Sequence, residues 1–400
     1  MGAAVSLYRH LPLSDPRRQI RLLHVRPSSN HDGHLHASLS VHDLDESLKF
    51  TALSYEWGRA PEKNDDDKAV IRINCLWTRP IQANLDKALR HLRRPDKTLT
   101  VWVDAICIDQ SDRGILEKAD QVSIVAEIYR SASQTYVWIG PSADGSDVAL
   151  TTLRKVGERM LKEDNGLSPR KQFERLTKDA PAGQWNKQSP DKLLQLAPDM
   201  IREYIPTASF CSAECRLLMS RSYWTRMWIQ QEVVLSPAPI ICCGSTQVGW
   251  NEFEAGLVFI NLLKHHAVYG TLSKYGSTNA DFDFSKWIQS DEKNYERRYF
   301  HPQWTVEESK NYEELGLGWN FEATALRRLR NRWSETQPSS PPPVSLPLLR
   351  VMAEEHAGAA RHEVSRQEDR IYGLAGMASD IPRLEQFGFE INYNIPCREA

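Results

Sequence analysis

"VWVDAICIDQ", residues 101–110, runs from an apolar stretch into Asp104, passes through Ile106, Cys107 and Ile108, and meets a second acid at Asp109. Such a stretch reads as a buried strand that meets a loop at its acidic end. Upstream, Ile81, Leu85, Ala88 and Leu92 recur at helical spacing and predict a helix over 81–93. Downstream, Ile115, Ala119, Val122, Ala126 and Tyr129 predict another over 114–131. Two more strands bracket them, "FTALSYEWG" (50–58) and "TYVWIG" (135–140), each closed by glycine. This alternation of strand and helix is that of an open, mostly parallel sheet covered by helices. Ligands of such sheets sit beyond the carboxyl ends of the strands. Tyr55, Glu56, Trp57, Gly58, Asp104, Asp109 and the Gly140-Pro141 turn all fall at such ends.

The rest of the chain divides by texture. "IRLLHV" (20–25) and "HASLSVHDL" (36–44) read as strands, and "VIRINCLWT" (70–78) as a strand or hairpin. From 142 to 217 the sequence is charged and rich in turn formers, which suits helical insertions and loops. Apolar density returns in "SRSYWTRMWIQQEVVLSPAPIICCG" (220–244), read as a helix over 222–234 followed by a strand. Residues 252–267 and 310–335 read as mostly helical, 335–347 as a Pro/Ser-rich linker, and 348–363 and 368–377 as further helices. Four segments result. Residues 1–49 lead in with strands, and 50–250 form an α/β core with the insertion at 142–217. Residues 251–345 are a helical extension with loops, and 346–400 a helical segment packing on the core and continuing in a longer protein.

Fifty basic residues against 52 acidic ones give a net charge of −2, so no bulk attraction to nucleic acid is expected. Seven cysteines, an odd number, do not suggest a secreted disulfide scaffold and favour a reducing, cytoplasmic setting. No apolar run approaches the roughly eighteen residues of a membrane helix. "MGAAVS" at the start lacks a signal peptide's basic opening and is similar to a myristoylation start. Glycine-rich dinucleotide and P-loop signatures are absent, as is a G-x-S-x-G elbow, which disfavours dehydrogenases, P-loop ATPases and α/β hydrolases. Neither Asp104, Asp109 and Asp112 nor Cys211, Cys215, Cys242 and Cys243 show the spacing of an established metal site, so no metal is expected.

"FTALSYEWG", "LTVWVDAICIDQSD", "ADQVSIVAEIYRSASQTYVWIG" and "SYWTRMWIQQEVVLSPAPIICCG" resemble successive blocks of the fungal heterokaryon incompatibility (HET) domain. "IRLLHV" and "QEDRIYGLAGM" resemble its flanking blocks. The resemblance implies an effector of fungal non-self recognition that triggers regulated cell death, coupled to an upstream sensor and to self-association. HET domains are distantly similar to TIR domains, which implies a flavodoxin-like or TIR-like sheet. Many catalytic TIR domains cleave NAD with a glutamate in a W-C-x-x-E segment. Here Trp228 and Glu232 stand at that interval, with Ile229 in place of the cysteine. NAD is therefore the expected substrate, and no resident cofactor is expected.

Glu232 also has a case of its own. Trp224, Trp228 and Glu232 at i, i+4 and i+8 would share one helix face, and two indoles would desolvate the carboxylate and raise its pKa. The bland alternative pairs Glu232 with Arg226 in a structural helix. Asp104 and Asp109 are either turn and cap residues or ligand contacts. Tyr55, Trp57, Gly58 and Arg59, with Trp57 offering a ring to stack on a base, complete the candidate binding set, and Arg113 is a further candidate phosphate contact. Trp138 and the surroundings of Tyr129 are candidates for an assembly face.

Overall fold

The structure, a computed structural model, describes residues 7–57, 69–163, 212–257, 259, 369–375 and 377. Eight strands form the sheet of the first compact unit, which comprises 1–141, 221–245 and 321–400. They are β1 (Gln19–Val25), β2 (Leu35–Asp43), β3 (Thr51–Tyr55), β4 (Val70–Ile73), β5 (Trp77–Pro80), β6 (Leu99–Trp102), β7 (Gln134–Trp138) and β8 (Pro239–Cys243). Their order is β5-β4-β2-β1-β6-β3-β7-β8. β6, β3, β7 and β8 are mutually parallel. Taken in chain order, these four lie as second, first, third and fourth, the flavodoxin-like arrangement. β1 runs antiparallel to both β2 and β6 and so joins the lead-in strands to the parallel group.

The order reverses between β3 and β7, where the chain leaves β3 for β6 on one side and returns to β7 on the other. Tyr55 pairs with Trp138 in register, so these two strands end level. A topological switch point of this kind is where open α/β sheets place their ligands. β3 and β7 are buried along nearly their whole length, as expected for central parallel strands.

Helices α1 (Leu7–His10), α2 (Ala83–Leu92), α3 (Asp104–Cys107), α4 (Ile115–Ser123) and α5 (Val125–Ser131) follow. α2 buries Leu85, Ala88, Leu89 and Leu92, the face its apolar spacing predicts. The expected strand over 99–106 stops at Trp102, because Asp104 opens a helical turn and takes the Ala105 N–H on its own Oδ1 at 2.7 Å. The expected helix over 114–131 divides at Ile124, whose φ of −103° and ψ of 6° interrupt it. Residues 70–80 are a hairpin. Asn74 and Cys75 turn it with φ of 52° and 60°, both in the left-handed region that tight hairpin turns demand.

The second unit comprises 142–220 and 246–320. Its described parts are α6 (Ser146–Glu163), α7 (Ser212–Met219), β9 (Thr246–Gly249) and a helical run at 250–257. The described parts of the 142–217 insertion are helical, as expected. A Cβ on Gly157 would lie 1.9 Å from the Glu252 carbonyl oxygen, and one on Gly256 2.5 Å from that of Leu153. These glycines let the two helical backbones touch. The readings of 310–335, 335–347 and 348–363, and of the N-terminal "MGAAVS", fall outside the described residues.

Candidate functional site

The 222–234 segment is not one helix. Ser222–Thr225 form a 3-10 turn, Arg226 is extended (φ −79°, ψ 136°), and α8 spans Ile229–Val234. The i, i+4, i+8 alignment of Trp224, Trp228 and Glu232 therefore does not form. Trp224 is fully buried, edge-on to Tyr223 at 5.2 Å. Trp228 stands half-buried just ahead of α8, and its carbonyl accepts the Glu232 N–H at 3.3 Å.

Glu232 is only 7 % exposed. Its neighbours are hydroxyls and a guanidinium. Ser54 Oγ, from the inner strand β3, donates to Glu232 Oε2, and the Tyr223 hydroxyl lies 2.5 Å from Ser54 Oγ. Burial pushes the Glu232 carboxyl up to about 7. Arg226 and the Ser54 hydroxyl pull the other way, and Asp104 adds to the rise. The sequence-based expectation of a desolvated carboxylate holds, with a different local helix geometry behind it.

Arg226 donates to the Tyr55 carbonyl at 2.5 Å, at the end of β3. Burial works against its charge, and Glu232 and Asp104, with Tyr223 and Tyr129, outweigh that and keep its pKa above the ordinary arginine value. Asp104 is likewise pushed up by burial, while Arg226 and a hydrogen bond from Trp57 draw it back. That bond, from Trp57 Nε1 to Asp104 Oδ2, is 2.8 Å long. It pins an indole that is 38 % exposed, so Trp57 is no core residue. Ser222 donates to Glu56 Oε2 at 2.6 Å, Asn84 Nδ2 to the Glu56 carbonyl at 2.7 Å, and Trp138 Nε1 to Asn84 Oδ1 at 2.9 Å. The ends of β3 and β7 and the start of α2 are thus stitched together.

The structure brings the Tyr55 carbonyl, Glu232 and Asp104 to bear on Arg226, and Trp57 joins them only through its bond to Asp104. Tyr55 contributes its carbonyl, its side chain being buried. Asp109 is placed in another cluster. Its Oδ1 accepts the Ser111 N–H at 3.0 Å, and its N–H donates to Glu117, which a fully buried Arg21 holds with two bonds of 2.7 and 2.8 Å. Gly58 and Arg59 lie outside the described residues, and Arg113 is exposed. Trp138 is buried at 0 % exposure, which corrects its reading as part of an assembly face, and Tyr129 itself is buried at 2 %, while its neighbours Glu127 and Arg130 are exposed. Apolar strands and helices close over both rings, and Trp102 packs edge-on to Tyr129 at 5.7 Å. Sequence reasoning passed over Ser54, Tyr223 and Asn84. Ser54, a polar residue inside a buried strand, was the one available signal.

Comparison with known proteins now joins the geometry. The family described as Heterokaryon incompatibility protein (HET) matches residues 50–232, from the residue before β3 to Glu232 itself. A curated relative, Heterokaryon incompatibility protein 6, OR allele, of Neurospora crassa, is 30 % identical over 259 residues. The aligned region takes in 59 % of this chain and 35 % of the relative, so the chain spans about a third of that protein's length. No solved structure matches the chain significantly. Residues 50–232, which hold the parallel strands β3, β6 and β7 and end at Glu232, thus match the heterokaryon incompatibility domain family.

Proposed function

We propose that the chain is an effector of fungal non-self recognition and that Glu232 serves in the hydrolysis of the N-glycosidic bond of NAD. The observation that supports this reading is one carboxylate. It is buried at the switch point of a flavodoxin-like sheet, poised near neutral proton affinity, and held between Ser54 and the field of Arg226.

In this reading the bond between ribose C1′ and the nicotinamide nitrogen breaks, and nicotinamide leaves with the bonding pair. The ionised Glu232 stabilises the cationic ribosyl centre. A water oxygen then bonds to C1′ and gives one proton to the Glu232 carboxylate, which releases it to solvent. The products are ADP-ribose, nicotinamide and a proton. Trp57 offers the exposed ring face on which a base would stack. The experiment is chromatographic detection of nicotinamide and ADP-ribose, with the protein both dilute and forced to associate. Turnover by wild type that Glu232→Gln abolishes, with an unchanged fold, is the expected result. Equal turnover in the variant removes Glu232 from the chemistry.

A second reading is a non-catalytic scaffold that signals by homotypic oligomerisation. Its support is an apolar pair at the start of α4, Ile115 at 45 % and Leu116 at 77 % exposure. Absence of turnover in wild type under both conditions would favour it.

A further inference from the structure

Ser54, Tyr223 and Glu232 form a chain of three polar side chains, each buried, drawn from β3, from the 3-10 turn and from α8. Its direction follows from what each group can offer. An ionised carboxylate only accepts, so Ser54 spends its single hydroxyl proton on Glu232 Oε2. Ser54 Oγ is then left as the acceptor, and the proton in the 2.5 Å contact must come from Tyr223. If a proton arrives on Oε2, the chain must reverse. Glu232 then donates to Ser54, Ser54 turns to the Tyr223 oxygen, and the Tyr223 O–H loses its acceptor. A buried hydroxyl left without an acceptor is costly.

Resting on the hydrolytic reading of Glu232, we propose that Ser54 and Tyr223 are positioning residues that hold Glu232 in its ionised form, Tyr223 acting through Ser54. Neither need touch the substrate. Their effect is to keep a carboxylate charged where burial alone would neutralise it, ready to face a cationic sugar and to take a proton from water. Other charged groups that bear on Glu232 are Arg226, which favours ionisation, and Asp104, which opposes it.

The test reads the Glu232 carboxyl directly, by its carbonyl stretch in pH-difference infrared spectra, with Glu232→Gln to assign the band. Ser54→Ala is expected to move the midpoint upward by about one pH unit, the scale of one hydrogen bond to a charged group. Tyr223→Phe keeps the ring and is expected to move it less, in the same direction. Tyr223→Phe added to Ser54→Ala is expected to change nothing more, because Tyr223 has no other route to Glu232 in the chain. Where NAD is turned over, the acidic limb of kcat should shift by the same amount as the infrared midpoint. Thermal melts confirm that each variant folds. An unmoved midpoint in Ser54→Ala overturns the proposal, and so does an additive double variant. A midpoint that moves as expected in a protein without turnover upholds the hydrogen-bond chain and sinks the hydrolytic reading, so the two can fail separately.

Discussion

The Arg226 guanidinium reaches 171 positions back along the chain to donate to the Tyr55 carbonyl at 2.5 Å. It can do so because its own backbone is extended between a 3-10 turn and α8. The break that separates Trp224 from Glu232 is thus what brings a cation to the end of β3, within the field of the Glu232 and Asp104 carboxyls.

Arg226→Met should destabilise the fold by about 1.5–3 kcal/mol, the value of a hydrogen bond from a charged group. It should also raise the proton affinity of both Glu232 and Asp104, which Arg226 now lowers. Chemical denaturation and pH-difference spectra check the two effects.

Glu232 gives a signed pH dependence. Its folded pKa of about 7 lies above the ordinary 4.5, so the native state binds the extra proton. That contribution is complete below 4.5 and is lost as pH rises through about 7. Relative to Glu232→Gln, wild type should lose a few kcal/mol across this window. Thermal melts of both proteins at several pH values read the difference, and parallel curves would contradict the raised value.

Trp57→Phe keeps an aromatic face and removes the N–H that Asp104 accepts. The indole is partly exposed, so stability should change by less than about 1 kcal/mol. If Trp57 stacks on a base of NAD, Trp57→Ala should raise KM severalfold with little change in kcat. An unchanged KM would return Trp57 to a purely structural part.

Two tryptophans of one segment should separate in stability. Trp224→Ala, at 0 % exposure, should cost about 3–5 kcal/mol. Trp228→Ala, half-buried, should cost roughly half of that. Equal losses would mean that Trp228 is as enclosed as its neighbour.

Gly157→Ala should destabilise the second unit by about 1–3 kcal/mol, although alanine favours helix, because the added Cβ meets a backbone oxygen at 1.9 Å. A higher melting temperature would show that the helices can part at little cost.

Much of the fold was legible because its periods are plain. Leu85, Ala88 and Leu92 marked α2, and the apolar runs at 51–55, 99–102 and 134–138 marked three parallel strands. Boundaries were less legible where a single side chain competes with the backbone pattern. Asp104 ends its strand early by bonding to the next N–H, and no period announces that. The site was half legible. Glu232 stood out through its interval from Trp228, yet its partners Ser54 and Tyr223 are 178 and 9 positions away, and only the fold brings them together. Trp138 misled in the other direction. A tryptophan near a strand's end looks like surface, and here its N–H is satisfied inward by Asn84 while the ring is enclosed.

Four consecutive residues of one strand and its exit answer three parts of the molecule: the 222–232 segment, α2 and α3. Ser54 meets Tyr223 and Glu232, Tyr55 meets Arg226, Glu56 meets Ser222 and Asn84, and Trp57 meets Asp104. β3 is therefore an index, and the site is read off against its position between β6 and β7. Deleting one residue between Thr51 and Tyr55 would turn every later side chain to the opposite face and offer each partner the wrong group. A deletion of two would restore the faces and still shift each contact by a full pleat. Changes of length around this site are thus confined to segments outside β3, and within the strand only substitution is open to drift.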